Sequence, residues 1–188
     1  GAGATWRYHD DLTDITAARS EGLALASLRL FEWGGFSSEP TDPLRADAEA
    51  LVRFDATGLA DAFQVDARNS LSGLKGRARL LNRLGQTVNA HPHLFAQADK
   101  PRPGGLYDAL RARATNGEVS APVILDVLLD GLGPIWENRP VLNGLALGDC
   151  WLLPDLGYVP LHKLSQWLAY SLIEPLQRAG LRVKDIDG

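Results

Sequence analysis

Residues 160–177 read PLHKLSQWLAYSLIEPLQ, and this stretch decides the fold class. Successive helical residues turn by about 100°, so positions three, four and seven apart share a face. On that spacing Leu164, Leu168, Leu172 and Leu176 form an apolar stripe expected to meet a core. Lys163, Gln166, Trp167, Tyr170 and Glu174 form the opposite face. The spacing predicts an amphipathic helix over 161–174, which Pro175 is expected to kink or end. The polar face gathers a cation, an amide, two aromatic rings and a carboxylate. Such a surface can stack on a flat group, donate hydrogen bonds and transfer a proton. The alternative is that Trp167 and Tyr170 pack under a loop while Lys163 reaches solvent. His162 is either a capping or packing residue or the general acid, because an imidazole titrates near neutral pH.

Working outward, the same period recurs along the chain. Gly131, Gly133 and Pro134 are expected to end an apolar, buried helix over 122–129, which a second helix over 106–114 precedes. Two prolines and two glycines mark 99–105 as a loop. Leu74, Leu81, Leu84 and Val88 share one face of a longer helix, with Lys75, Arg79 and Arg83 at four-residue spacing on another. Asp42-Pro43 reads as a cap and a first-turn proline, starting a helix that carries Leu44, Ala48, Leu51 and Val52. Ser20 suits an N-cap for a helix through Leu23, Ser27, Leu30 and Phe31 that stops at Gly34-Gly35. Residues 5–18 read as two short strands around the acidic turn Asp10-Asp11, and 141–151 as extended chain. The expectation is a mainly α chain, more than half helical, with a small β-hairpin. Residues 1–188 show no convincing boundary and read as a single domain.

The 188 residues carry 19 Lys and Arg against 23 Asp and Glu, a formal charge of −4. A nucleic-acid binder normally shows a basic excess, so none is expected as a partner. One cysteine, Cys150, allows neither an internal disulfide nor a cysteine-based zinc site. No apolar run approaches the roughly 18 residues of a membrane span. With no leader visible, these features favour a cytoplasmic protein that uses no membrane. No cofactor and no metal are expected. His91 and His93 lie beside no third ligand, and Cys150 has no adjacent histidine to activate it.

Several other residues are candidates for a ligand site. Arg7, Arg19, Lys75 and Arg77 are candidate phosphate ligands, since guanidinium forms paired bonds to phosphate oxygens. Each of them taken singly reads first as a solvated surface group. Glu21 either favours its helix start or meets a ligand together with Arg19. Asp149 either shapes a turn after Gly148 or binds ribose hydroxyls. Trp151, beside it, is a candidate apolar wall.

The strings TWRYHD (from Thr5), RSEGLALASLRLF (from Arg19), FSSEPTDPLRADA (from Phe36), LSGLKGRARLLNRLG (from Leu71), ILDVLLDGLGPIW (from Ile124), LALGDCW (from Leu145) and the opening stretch resemble the uracil-catabolism protein 4 family. Members of that family are longer, so 1–188 is expected to be an internal piece of a longer chain. Missing segments or self-association would then cover its ends, near Trp6 and Val183. The resemblance implies a route that degrades uracil through its nucleotide, with a small-molecule nucleotide or ribose phosphate as ligand. A later step of that route separates urea from the sugar phosphate. LSGLKGRARLLNRLG, HKLSQ and the terminal KDIDG are also similar to segments of the queuosine-salvage nucleotide N-glycosylases. That second resemblance implies a helical domain like the helix-hairpin-helix DNA glycosylases. It also implies a lysine, here Lys163, paired with a carboxylate that would lie beyond Gly188.

Three functions follow as expectations. The first is an N-ribosidase that releases urea from ribosylurea 5-phosphate. In it Lys163 or His162 protonates the leaving nitrogen, Gln166 binds the urea group, and Trp167, Tyr170 or Trp151 excludes water. The second is a non-catalytic binding or scaffold protein of the same pathway. A third, deamination or amide cleavage of the opened ring, calls for a metal cluster or triad that the sequence does not offer.

Overall fold

A computed structural model describes residues 5–96 and 100–186. The fold is mainly α, with about half the residues in helices and the strands confined to two-stranded pairs. Helix content thus stops short of the expected majority, in part because the helix expected from Pro43 begins only at Ala48 and 141–160 forms two hairpins. The chain divides into two compact units, Gly1–Gln86 and Thr87–Gly188. The division falls inside a helix, where no change in composition announces it.

The first unit opens with the expected hairpin. Strand β1 (Arg7–Asp10) pairs antiparallel with β2 (Ile15–Ala18), Arg7 opposite Ala18 and Asp10 opposite Ile15. Helix α1 (Arg19–Glu32) follows directly, capped by Ala18 rather than by Ser20. Trp6 is fully buried, donates its indole N–H to the Phe63 carbonyl at 3.0 Å and stacks on the Phe63 ring. Gly22 makes room for it, since a Cβ there would sit 2.9 Å from Trp6 Cζ3. Helices α2 (Ala48–Arg53), α3 (Ala56–Ala62) and the first part of α4 (Leu74–Ala90) complete the unit.

Helix α2 starts five residues later than Asp42-Pro43 suggested. The cap is Asp47, whose carboxylate accepts from the Ala50 N–H at 3.0 Å and from the Ser38 N–H and hydroxyl at 2.8 and 2.9 Å. Burial pushes this carboxyl up. The bonds from Ser38 and Ala50, with the charge of Arg45, outweigh burial and hold it below its ordinary value. A side chain committed three ways fixes the helix start more firmly than a proline at an exposed turn.

The second unit contains α5 (Pro92–Phe95), α6 (Gly105–Arg113), β3 (Glu118–Ser120) and α7 (Ala121–Leu132). Beyond a 3-10 turn over Gly133–Ile135 come two hairpins, β4 (Val141–Leu142) with β5 (Leu145–Ala146), and β6 (Cys150–Leu153) with β7 (Gly157–Pro160). Asn143 and Gly144 both take positive φ, the two-residue turn that closes the first of them. Helix α8 (Lys163–Arg178) and strand β8 (Arg182–Lys184) follow, and β8 pairs parallel with β3.

Two helix ends differ from the sequence reading. Gly131 lies inside α7, where it is a contact point: a Cβ would fall 2.9 Å from Leu94 Cδ1 and 3.0 Å from Phe95 Cζ. Pro175 does not end α8, which runs on to Arg178. The chain ends themselves lie outside the described residues. The residues expected to expose apolar surface near them, Trp6 and Val183, are buried. Exposed large apolar side chains gather instead on β4 to β7 and α8, from Val141 to Tyr170.

Candidate functional site

Helix α8 lies in the predicted place but is rotated from the predicted face. Its buried residues are Ser165, Ala169 and Leu176. Leu164 is 56% exposed and Leu168 40% exposed, so the first half of the leucine stripe turns away from the core, while Leu172 is half-buried and Leu176 buried as expected. Small side chains at Ser165 and Ala169, four apart, let the helix approach its neighbour more closely than a leucine row would. The contact stripe therefore turns by about one residue.

That rotation sorts the residues of the polar face. Gln166 and Tyr170 line one cavity of about 150 Å³ with Ala121, Pro122 and Leu125 of α7, Ala169 and Ile173 of α8, and Asp185 and Ile186. Gln166, Tyr170 and Asp185 are the polar residues that border an otherwise apolar recess. Lys163 and Trp167 are exposed and do not line it. Lys163 is two positions before the buried Ser165, about 200° around the helix, so it projects away from the packed side. The polar face expected to act as one surface is thus divided, with Gln166 and Tyr170 at the recess and Lys163 outside it. Glu174, on the same face, is taken by Arg178 at 2.6 Å. A smaller, apolar cavity of about 40 Å³ lies between Leu164 and Leu168 of α8 and Leu128, Leu132 and Trp136.

A second cluster forms where β6 leaves the Gly148 turn. Asp149 is buried; its Oδ1 accepts from Trp151 Nε1 at 3.3 Å and lies 3.6 Å from Arg139 Nε. The Arg139 guanidinium carbon stands 4.0 Å from the Trp151 ring centroid, a cation–π contact. Asp149 also accepts the Leu161 N–H on its backbone carbonyl at 2.8 Å, which ties the cluster to the start of α8. His162, next along, is half-buried, and its Nδ1 is a buried atom without a hydrogen-bond partner. Arg139 is missing from the sequence reading because it lies in an aperiodic stretch. Asp185 was within the quoted KDIDG string but was not singled out; the final Asp187-Gly188 of that string lies outside the described residues.

The remaining candidates belong to the first unit. Arg7 is exposed on β1, where its backbone N–H bonds Asn69 Oδ1 at 2.8 Å. Arg19 and Glu21 are exposed in the first turn of α1, and two-residue spacing turns them to different sides. Lys75 and Arg77 are likewise two apart on α4. Arg77 already donates Nε to the Ser72 carbonyl at 3.2 Å. The proposed phosphate ligands of this unit are therefore not focused on one point by their own helices.

His91 and His93 ring centroids are 5.9 Å apart, and His91 Nδ1 is engaged by the Thr87 carbonyl at 2.8 Å. Among the described residues no group of three His, Cys, Asp or Glu is placed to hold a metal ion. No described helix is long and apolar enough to cross a membrane.

Residues 1–188 match, over their whole length, the family described as a protein of unknown function, DUF1688. The chain belongs to that family. It is 35% identical, over 97% of its length, to a protein of Lachancea kluyveri named uracil catabolism protein 4. It is 37% identical, over 94% of its length, to the Schizosaccharomyces pombe protein urg3. The chain spans less than half the length of each relative, 45% and 42%. No solved structure matches it.

Proposed function

We propose that this DUF1688 protein acts in uracil catabolism as an N-ribosidase, converting ribosylurea 5-phosphate and water into urea and ribose 5-phosphate. The observation that carries the reading is the recess on α8 that Gln166, Tyr170 and Asp185 border among apolar walls. A urea group is small, planar, and both a donor and an acceptor. The Gln166 amide complements its carbonyl or N–H, Asp185 accepts an N–H, and Tyr170 with Pro122 encloses its faces. The name of the Lachancea kluyveri relative supports the pathway.

In the reaction the C1′–N bond breaks through an oxocarbenium-like sugar. Water supplies its oxygen to C1′, and the leaving nitrogen takes a proton. Lys163 or His162, at the head of α8, is the candidate donor of that proton, although neither lines the recess. A carboxylate near C1′ steadies the developing positive charge. Asp185 is the candidate within this chain, and the resemblance to queuosine-salvage glycosylases points to another beyond Gly188. The same resemblance supports a helix-hairpin-helix glycosylase-like arrangement. A second reading, a nucleotide-binding or scaffold protein without turnover, is favoured by one observation: Lys163 stands outside the recess. Incubating the full-length protein with ribosylurea 5-phosphate and assaying free urea decides between them. Sustained urea release supports the hydrolase, and binding without release supports the scaffold.

A further inference from the structure

We propose that Arg139 is the anchor for a phosphate monoester, held in place by Asp149 and Trp151 at the base of the β6–β7 hairpin. Few of the guanidinium's donors are used. Arg139 carries five N–H donors. Its Nε faces Asp149 Oδ1 at 3.6 Å, which is an ion pair but too long for a hydrogen bond. That Nε is buried without a hydrogen-bond partner. Among the described residues no acceptor bonds its terminal nitrogens, and its side chain is 20% exposed. The Nε edge is filled by Asp149, so the donors left for a ligand are the terminal nitrogens.

The group is nevertheless fixed. One face lies on the Trp151 ring at 4.0 Å, and Asp149 holds one edge. Trp151 bonds the same carboxylate oxygen, so ring, carboxylate and guanidinium form one unit. The Leu147 N–H, bonded to the Pro140 carbonyl at 3.0 Å, fastens the segment that carries Arg139. A preset planar fork loses little freedom when it takes two phosphate oxygens, so its binding energy is not spent on ordering.

The surroundings suit an anion. Asp149 accounts for one unit of negative charge, already matched by Arg139. Leu161, bonded to the Asp149 carbonyl, leads directly into His162 and Lys163. Register places Cys150 opposite Pro160, so Asp149 and the head of α8 share one end of the hairpin. His162 Nδ1 is the other buried polar atom of this unit without a partner among the described residues. The terminal nitrogens of Arg139, with the exposed Lys163 at the same end of the hairpin, supply the positive charge that a phosphate calls for.

The proposal rests on the reading that the substrate is a sugar phosphate, and its test is binding rather than turnover. The full-length protein is titrated calorimetrically with ribose 5-phosphate, inorganic phosphate and ribose. Binding of both phosphates and none of ribose is expected. Arg139→Gln should weaken ribose 5-phosphate at least tenfold, and Asp149→Asn, which keeps an acceptor oxygen for Trp151 Nε1 and loses only the ion pair that orients Arg139, should weaken it less. Equal binding by wild type and Arg139→Gln, no binding of either phosphate by wild type, or equal losses in Arg139→Gln and Asp149→Asn would overturn the anchor. If Arg139→Gln does not fold, the neutral pair Arg139→Gln/Asp149→Asn replaces it. The Arg139 Nε–H resonance of the wild type must also shift on adding ribose 5-phosphate, and an unmoved signal overturns the proposal. Phosphate binding without urea release would sink the hydrolase and spare the anchor. Urea release with an unchanged KM in Arg139→Gln would do the reverse.

Discussion

Arg29 meets Asp10 in a fork, Nε to Oδ1 and Nη2 to Oδ2, both at 2.7 Å, with Asp10 2% exposed. This pair joins the end of β1 to the last turn of α1, and Thr13 and Glu32 complete it. The bonds from Arg29, then that from Thr13, hold the Asp10 carboxyl far below its ordinary range. The Asp10 and Glu32 bonds in turn raise Arg29. Breaking one side leaves a buried charge without its partner, which is the expensive way to lose a salt bridge. Asp10→Asn should therefore lower Tm by about 10 °C or more, read by circular dichroism.

The same pair sets an acid limit. Asp10 binds a proton less readily folded than unfolded. Its stabilisation is complete above the unfolded carboxyl's pKa of about 4 and is lost as pH falls toward Asp10's own depressed value. Urea denaturation of the wild type should show stability falling as pH drops below about 4. Asp10→Asn should start lower and lose less over that window. Parallel declines in the two proteins would assign the acid sensitivity elsewhere.

Asp47 is a cap with three bonds rather than one. Asp47→Ala leaves the Ala50 and Ser38 N–H groups unmet and should cost roughly 2 kcal/mol, the upper range for a helix cap. Asp47→Asn keeps an acceptor and should cost less. Denaturant midpoints at constant slope check both, and equal costs would show that charge, not bonding, matters here.

Much of the fold was legible because hairpins and helices announce themselves by spacing. The strands around Asp10-Asp11 follow from local β-branched and turn residues. The place of α8 follows from a long periodic run. What was not legible depends on partners distant in sequence. The start of α2 was misplaced because Ser38 and Asp47 find each other only in the folded chain. The parallel pairing of Glu118–Ser120 with Arg182–Lys184 has no local signature. In the candidate site, Gln166 and Tyr170 of the polar face border one recess and Lys163 of the same face does not. Lys163 was grouped with them because periodicity gives a helix its faces but not which stripe packs. Ser165 and Ala169 decide that by being small, and a hydrophobic count passes over them.

Gly131 tests the packing of the second unit. A Cβ there meets Leu94 and Phe95, both about 1% exposed and unable to swing into solvent. Replacing glycine inside a helix ordinarily gains up to about 1 kcal/mol, whereas overpacking costs about 1–3 kcal/mol. Overpacking should win. Gly131→Val is expected to lose about 2 kcal/mol in urea denaturation, and Gly131→Ala less. A stabilised Gly131→Val would mean the helix stands further from Leu94 and Phe95 than described.

Lys163 and Gln166 separate chemistry from binding. Lys163 is exposed and outside the packed stripe, so Lys163→Ala should leave Tm unchanged within about 1 °C. If its ammonium protonates the leaving nitrogen, the same change should lower urea release by about 100-fold or more in the full-length protein, the usual worth of a general acid. Lys163→Arg should fail equally, because guanidinium holds its proton too firmly at neutral pH. Gln166→Ala should instead raise KM with a smaller effect on kcat, since it removes a contact to the urea group in the ground state as well as in the transition state. Two outcomes redirect the assignment. Full activity in Lys163→Ala passes the proton to His162, and His162→Asn should then abolish release. Full activity in both variants, with Gln166→Ala unaffected as well, would remove the head of α8 from the chemistry and leave the recess a feature of packing alone.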